Sequence, residues 1–305
     1  MNINRHLIVV GAALLAGASQ ASAQHAGDIF VESAGGRIIS GLISERTIVH
    51  DHRAFAAEFG EVFRNFTDEP GFDSRADEFQ PGTNIGFNVL DAVRLWNGNN
   101  FATRSPVTFT ISFANLEIET GTGFVEGFGL PVAPNGEWHR HLNYVINEPA
   151  PAGIYLLALE LWSDDPALGN SEPFFIVFNQ ETDELIHEEA IEWVEENLIP
   201  GLRFHDVDLA AGRVNDFNVI GATPGRRVTF FYGFRLGGGP QVPGCPGTRV
   251  TIHLPKVIGS ANANGSGHAS ISQFVPGAAS GRLVFFGAVE QSTCTVANVV
   301  EHEFE

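Results

Sequence analysis

Thr182-Asp183-Glu184-Leu185-Ile186-His187-Glu188-Glu189-Ala190-Ile191-Glu192-Trp193-Val194-Glu195-Glu196-Asn197-Leu198-Ile199-Pro200-Gly201 is the stretch from which the architecture is read. Ile186, Ala190, Trp193, Val194 and Leu198 recur at three- and four-residue intervals, the period of an amphipathic helix. Thr182 or Asp183 can cap its start, acids fill its first turn, and Pro200-Gly201 ends it. Its outer face, Glu188, Glu189, Glu192, Glu195 and Glu196, reads as solvated, since such an acidic run binds cations only where a loop converges it.

On either side of this helix the chain reads as strands. Short Val/Ile/Phe-rich runs alternate with turn residues, supplied by 34 glycines and 16 prolines, which is the pattern of β-sandwiches. In the first part, strands are expected at 28–33, 37–43, 84–96, 107–118, 137–146, 154–162 and 174–179, and Asp51 to Phe66 reads as a strand followed by a loop. In the second, runs at 216–221, 227–234, 249–254, 269–275, 282–289 and 296–304 suit an immunoglobulin-like or fibronectin-like sandwich. The fold class is therefore all-β in the main: two antiparallel β-sandwich domains, the first with one amphipathic helix at its C-terminal end.

Charge supports the same division. Residues 24–200 hold 29 acidic and 8 basic side chains, whereas 201–305 hold 7 and 8, so the first module is strongly anionic and the second nearly neutral. The net charge of -19, with no Lys/Arg run, counts against nucleic-acid binding. Residues 1–23 read as an export signal, with Arg5, an apolar run from Leu7 to Ala18, and Ala21-Ser22-Ala23 before the cleavage point. No later run approaches the roughly 20 apolar residues of a membrane span, and 301–305 forms no apolar tail. The expectation is a secreted protein, extracellular or periplasmic, with no membrane attachment after signal cleavage. In an oxidising compartment the only two cysteines, Cys245 and Cys294, should form a disulfide.

Chemistry is sought among the histidines. In Trp138-His139-Arg140-His141-Leu142-Asn143-Tyr144-Val145, period two sends Trp138, Arg140, Leu142 and Tyr144 to one face and His139, His141, Asn143 and Val145 to the other. Two imidazoles about 6.5–7 Å apart at the backbone can close on one metal ion. His187 and His25, with Asp28 beside the latter, are the expected completers. Such a set suits zinc or copper rather than calcium or magnesium. Were processing to leave His25 at the terminus, its amine and ring could chelate copper, although the small-residue rule favours cleavage before Gln24. His50-Asp51-His52 is a second, weaker pair at an expected turn. The competing reading is that these are ordinary hydrogen-bonded surface histidines. The sequence contains no G-x-S-x-G, P-loop, G-x-G-x-x-G or H-E-x-x-H pattern, so it does not point to an enzyme.

The HxH segment resembles the metal strand of cupins, in which two such histidines, a glutamate and a later histidine bind the ion; His139 and His141 are the positions that match. More broadly, Gly27-Asp28-Ile29, the His139–Leu142 stretch, Gly153 to Leu157, Ser171 to Asn179, the His187 helix, Pro243 to Gly247 and Val275 to Gly277 resemble exported bacterial two-module β-sandwich proteins. The functional expectation is an exported, non-catalytic, metal-binding protein. The alternatives are an extracellular structural or adhesion protein that presents a surface to another protein, and a carbohydrate-binding module using tryptophans such as Trp162 on a glycan.

Overall fold

A computed structural model of the chain describes residues 27–305 except positions 45, 61, 206 and 207. The leader read at 1–23 and His25 lie outside the described residues. The described chain is mostly β, with one α-helix and several sheets. A seven-stranded sheet runs in the order Val125–Pro131, Asn84–Val89, Gly153–Ser163, Phe174–Gln180, Ala54–Glu58, with Arg94–Leu95 and Thr103–Arg104 at its side. A four-stranded sheet is ordered Leu116–Glu119, Phe109–Phe113, Asn143–Ile146, Phe66–Thr67. The inward residues of these strands, among them Phe55, Phe87, Phe109, Tyr144, Tyr155, Leu157, Phe174 and Phe178, form one core together with Ile29, Val31, Phe72 and Trp138. Aromatic edges meet faces throughout it, as where the Phe109 ring stands nearly perpendicular to Phe178 at 5.3 Å.

The nine-stranded sheet does not respect the join at Pro200-Gly201. Its order is Lys256–Asn262, Arg227–Gly233, Leu283–Glu290, Val300–Glu303, Thr47–His50, Arg37–Ser44, Ile29–Ala34, Phe72–Asp73, with Thr295–Val296 paired to Leu283–Glu290. Val300 pairs with Val49 and Glu301 with Ile48, so one ladder crosses from the late strands to the early ones. A second core, built on Phe204, Phe217, Phe230, Phe286 and Phe304, lies between the late half of this sheet and a three-stranded sheet of Arg203–His205, Val214–Ile220 and Ala269–Phe274. Val49 belongs to that second core. The charge step at residue 200 thus marks a change of composition, while the backbone hydrogen bonds run through it. The expected disulfide is present: Cys245 and Cys294 are bonded, with Cα atoms 5.4 Å apart.

The helix spans Glu184–Leu198, and the Asp183 carboxylate caps it by accepting from the Leu185 N–H at 3.0 Å. Its buried face is His187, Ala190, Val194 and Glu195, packed over Ala54, Ile154, Leu156 and Val177. Of the expected face, Ala190 and Val194 are buried and Trp193 and Leu198 partly so, whereas Ile186 points to solvent and His187 points in. Glu195, expected on the solvated side, is buried and meets His205 Nδ1 at 2.7 Å. Burial raises its pKa, and the hydrogen bond to His205 together with the charges of His52, His205 and Arg203 outweighs that and leaves it lowered.

Candidate metal centre

Three segments far apart in sequence converge at the edge of the nine-stranded sheet. The Phe72–Asp73 strand pairs in parallel with Ile29–Ala34 and, on its other side, exchanges two backbone hydrogen bonds with Arg140 at 2.8 and 2.9 Å. Asp28 therefore comes to lie beside Gly71, and His139 and His141 flank the bridging Arg140. The expected strand at 137–146 is regular only from Asn143; before it, the chain is held by the Arg140 bridge and by Ser74 Oγ accepting from the Trp138 N–H at 2.7 Å. The inside–outside alternation nevertheless persists. Trp138, Leu142 and Tyr144 are buried, while His139 and His141 face outward, with side-chain exposures of 49% and 33%.

Asp28, His139 and His141 each offer a ligand atom, and these atoms lie within 4.8 Å of one another. The two imidazole centres are 5.1 Å apart. A tetrahedral ion bonded to two ring nitrogens at about 2.0–2.1 Å would set them about 5 Å apart. Asp73 Oδ1 lies 3.1 Å from His139 Nδ1; the Asp68 carbonyl and Glu69 Oε1 lie 3.3 and 3.4 Å from His141 Nδ1. Carbonyl and ionised carboxylate oxygens only accept, so they favour a proton on each Nδ1 and a lone pair on each Nε2. Asp73 also groups with Glu137 around His139. The pKa of Glu69 is raised, chiefly by burial and further by Asp28 and Asp68, against the opposing pull of the Gly71 N–H and His141.

Gly71 is what permits the approach. Its N–H donates to Asp28 Oδ1 at 3.1 Å and to Glu69 Oε2 at 3.0 Å. A Cβ there would stand 2.5 Å from His141 Cε1 and 2.8 Å from Asp28 Oδ1, both far inside van der Waals contact.

Of the residues singled out in the sequence, Asp28, His139 and His141 meet, and His187 does not join them. His187 sits on the buried face of the helix with 1% of its side chain exposed; its Nε2 donates to the Val177 carbonyl at 2.9 Å, and its Nδ1 lies near Glu58 and Glu184. A helix at a sandwich edge can lay a side chain over the strand beside it, but this helix covers the Phe174–Gln180 and Ala54–Glu58 strands, away from His139 and His141. Burial depresses the pKa of His187, and Glu58 with the Val177 carbonyl outweighs that and raises it. The cupin-like pattern likewise differs in its partners: the third group beside the pair is an aspartate upstream of it.

His50 and His52 form no shared site. His50 is held between Glu32 and Glu301, while His52 Nε2 bonds to the Ala54 carbonyl. Burial lowers the pKa of His52. The tryptophans spread over the structure. Trp138 is buried, Trp96 and Trp193 pack with Phe101, and the Trp162 ring lies against Gly86 and Gly129 while its Nε1–H donates to the Phe87 carbonyl.

No family model matches the chain, and no curated protein matches it. Among solved structures, CBD12 from CALX1.2 is similar over 80% of this chain and 78% of that one, at 9% identity and a TM-score of 0.23. The Pseudomonas aeruginosa CupB2 chaperone is similar over 82% and 97%, at 10% identity and a TM-score of 0.20. Red sea bream transglutaminase is similar over 91% of this chain and 31% of that one, at 9% identity and a TM-score of 0.19. Likenesses this weak carry no argument about what the chain does.

Proposed function

We propose that the protein is exported and binds a transition-metal ion, zinc or copper, through His139, His141 and Asp28, without catalysing a reaction. The observation behind this reading is the convergence of those three side chains, with ligand atoms within 4.8 Å of one another. Two nitrogens and one oxygen form a donor set for zinc or copper, whereas calcium and magnesium prefer oxygen alone. Asp73 on one ring and Asp68 with Glu69 on the other would orient the imidazoles through Nδ1, as outer carboxylates and carbonyls do for metal-bound histidines. The half-exposed rings place the ion at the surface, where it would tie the start of the Ile29–Ala34 strand to the segment before Asn143–Ile146. Export draws support from the Cys245–Cys294 disulfide, a bond that persists in oxidising compartments. No described helix is long and apolar enough to cross a membrane.

Calorimetric titration of the mature protein with zinc and with copper tests the site. His139→Ala and His141→Ala are each expected to weaken it at least tenfold, about 1.4 kcal/mol. Equal metal uptake by the wild type and the double variant would overturn the proposal. Gly71→Ala is a separate check, because it keeps every ligand and adds only the methyl that would force His141 and Asp28 apart. Its expected result is also a loss of at least tenfold, and unchanged affinity would show that the close approach at Gly71 is not part of the site.

A further inference from the structure

We propose that Glu58, Glu184 and His187 hold a second divalent transition-metal ion, zinc by preference, at the seam where the helix lies over the Ala54–Glu58 strand. Their ligand atoms fall within 4.8 Å of one another, and none of the three belongs to the Asp28–His139–His141 group. The second site stands or falls independently of the first.

The argument begins with a hydrogen bond. The Val177 carbonyl can only accept, so His187 Nε2 must carry the proton that it donates over 2.9 Å. In the neutral ring this leaves a lone pair on Nδ1, which faces Glu58 Oε1 at 2.9 Å. The approach is off the axis of a hydrogen bond: both buried atoms, Nδ1 and Oε1, lack a hydrogen-bond partner. Two lone pairs this close in a ring that is 1% exposed repel each other unless a cation sits beside them.

A proton on Nδ1 is one such cation, and a metal ion is the other. Two further features favour the metal. Glu184 Oε1 lies 3.8 Å from Nδ1, so a second carboxylate oxygen stands within reach of an ion bound at Nδ1, a third donor that a proton shared between Nδ1 and Glu58 would not use. The two ligand separations, 2.9 and 3.8 Å, also bracket the roughly 3.3 Å between neighbouring ligands of a tetrahedral ion with bonds of about 2.0–2.2 Å. A histidine whose distal nitrogen donates to a backbone carbonyl is the usual arrangement of an oriented metal ligand. The helix N-terminus opposes a cation here, but Glu184 occupies its first turn and offsets that field.

The mature protein carrying His139→Ala and His141→Ala isolates this site. Titrated with zinc, it is expected to bind one equivalent and to melt at a higher temperature when saturated. On that background, Glu58→Gln with Glu184→Gln should weaken zinc at least tenfold. Both side chains are partly exposed, at 40% and 64%, and glutamine keeps their shape, so the fold should survive the change. His187→Gln, at a buried position, is the supporting variant. In nitrogen-15 spectra of the ring, zinc should move the His187 Nδ1 resonance and leave Nε2 protonated. Absence of zinc uptake by the His139→Ala/His141→Ala protein, uptake unaffected by the two glutamines, or an Nδ1 that keeps its proton at saturating zinc would each overturn the assignment.

Discussion

Replacing His50 by glutamine is expected to cost on the order of 3 kcal/mol of stability at pH 6 and almost nothing at pH 10. His50 Nδ1 meets Glu32 Oε1 at 2.6 Å and its Nε2 meets Glu301 Oε2 at 3.3 Å, which places one imidazole between carboxylates from an early and a late strand of the same sheet. It can reach Glu32, two strands away, because the residue paired with it on the intervening strand is Gly41, which has no side chain to intrude. Arg75 donates to the other oxygen of Glu301 at 2.6 Å and lies over the Phe30 ring, whose centre is 5.2 Å away. Burial by itself lowers the pKa of His50, but the hydrogen bonds to Glu301 and Glu32 outweigh it and raise the value to about 9.

The sign follows from that shift. The folded-state pKa lies above the ordinary histidine value of about 6.5, so the charged pair stabilises fully below that pH and its contribution is lost as pH rises through about 9. Removing the cation also takes a partner from two poorly exposed carboxylates, of which Glu301 keeps Arg75 and Glu32 bears the larger loss, the costly way to break a buried pair. Urea denaturation of the wild type and His50→Gln at pH 6, 8 and 10 should show a gap that closes with rising pH. A gap that stays constant across that range would rule out the charged-pair account.

Loss of the disulfide should have an effect of similar size. Cys245 and Cys294 close a loop 49 residues apart in sequence, worth about 4 kcal/mol in the chain-entropy account. The bridge lies beside a satellite cluster of Phe231, Val242, Val250, Ile252, Phe285 and Val299. The double variant Cys245→Ala/Cys294→Ser should therefore unfold at markedly lower denaturant concentration, and the reduced wild type should match it. A loss below about 1 kcal/mol would mean that the denatured chain is already confined without the bridge.

Local periodicity made part of this molecule readable. The helix was legible from its three- and four-residue spacing, and the outward face of His139 and His141 from alternation, which outlasts the regular strand because Trp138, Leu142 and Tyr144 are locked into the core. The expectation that His187 completes the site runs against a local signal: it lies three residues before Ala190 and seven before Val194, on the same face, so a stripe including it points inward. Asp73, Glu69 and Gly71 were not legible as neighbours. They lie 66 to 72 residues from the two histidines, and their approach depends on the Arg140 bridge and the strand beside Ile29, which leave no local signal. The same holds for Glu58, whose place beside His187 follows from the parallel pairing of Ala54–Glu58 with Phe174–Gln180.

The shared ladder at Val300–Glu303 also bears on the order of assembly. His50 and Glu301 are 251 residues apart in the chain, yet they complete one layer. A ribosome that has released only the first two hundred residues would present Thr47–His50 as an open edge with no neighbour on that side, a surface that invites mispairing. Closing so wide a gap is slow relative to making hairpins. The ladder would therefore close only after the later portion of the chain has arrived.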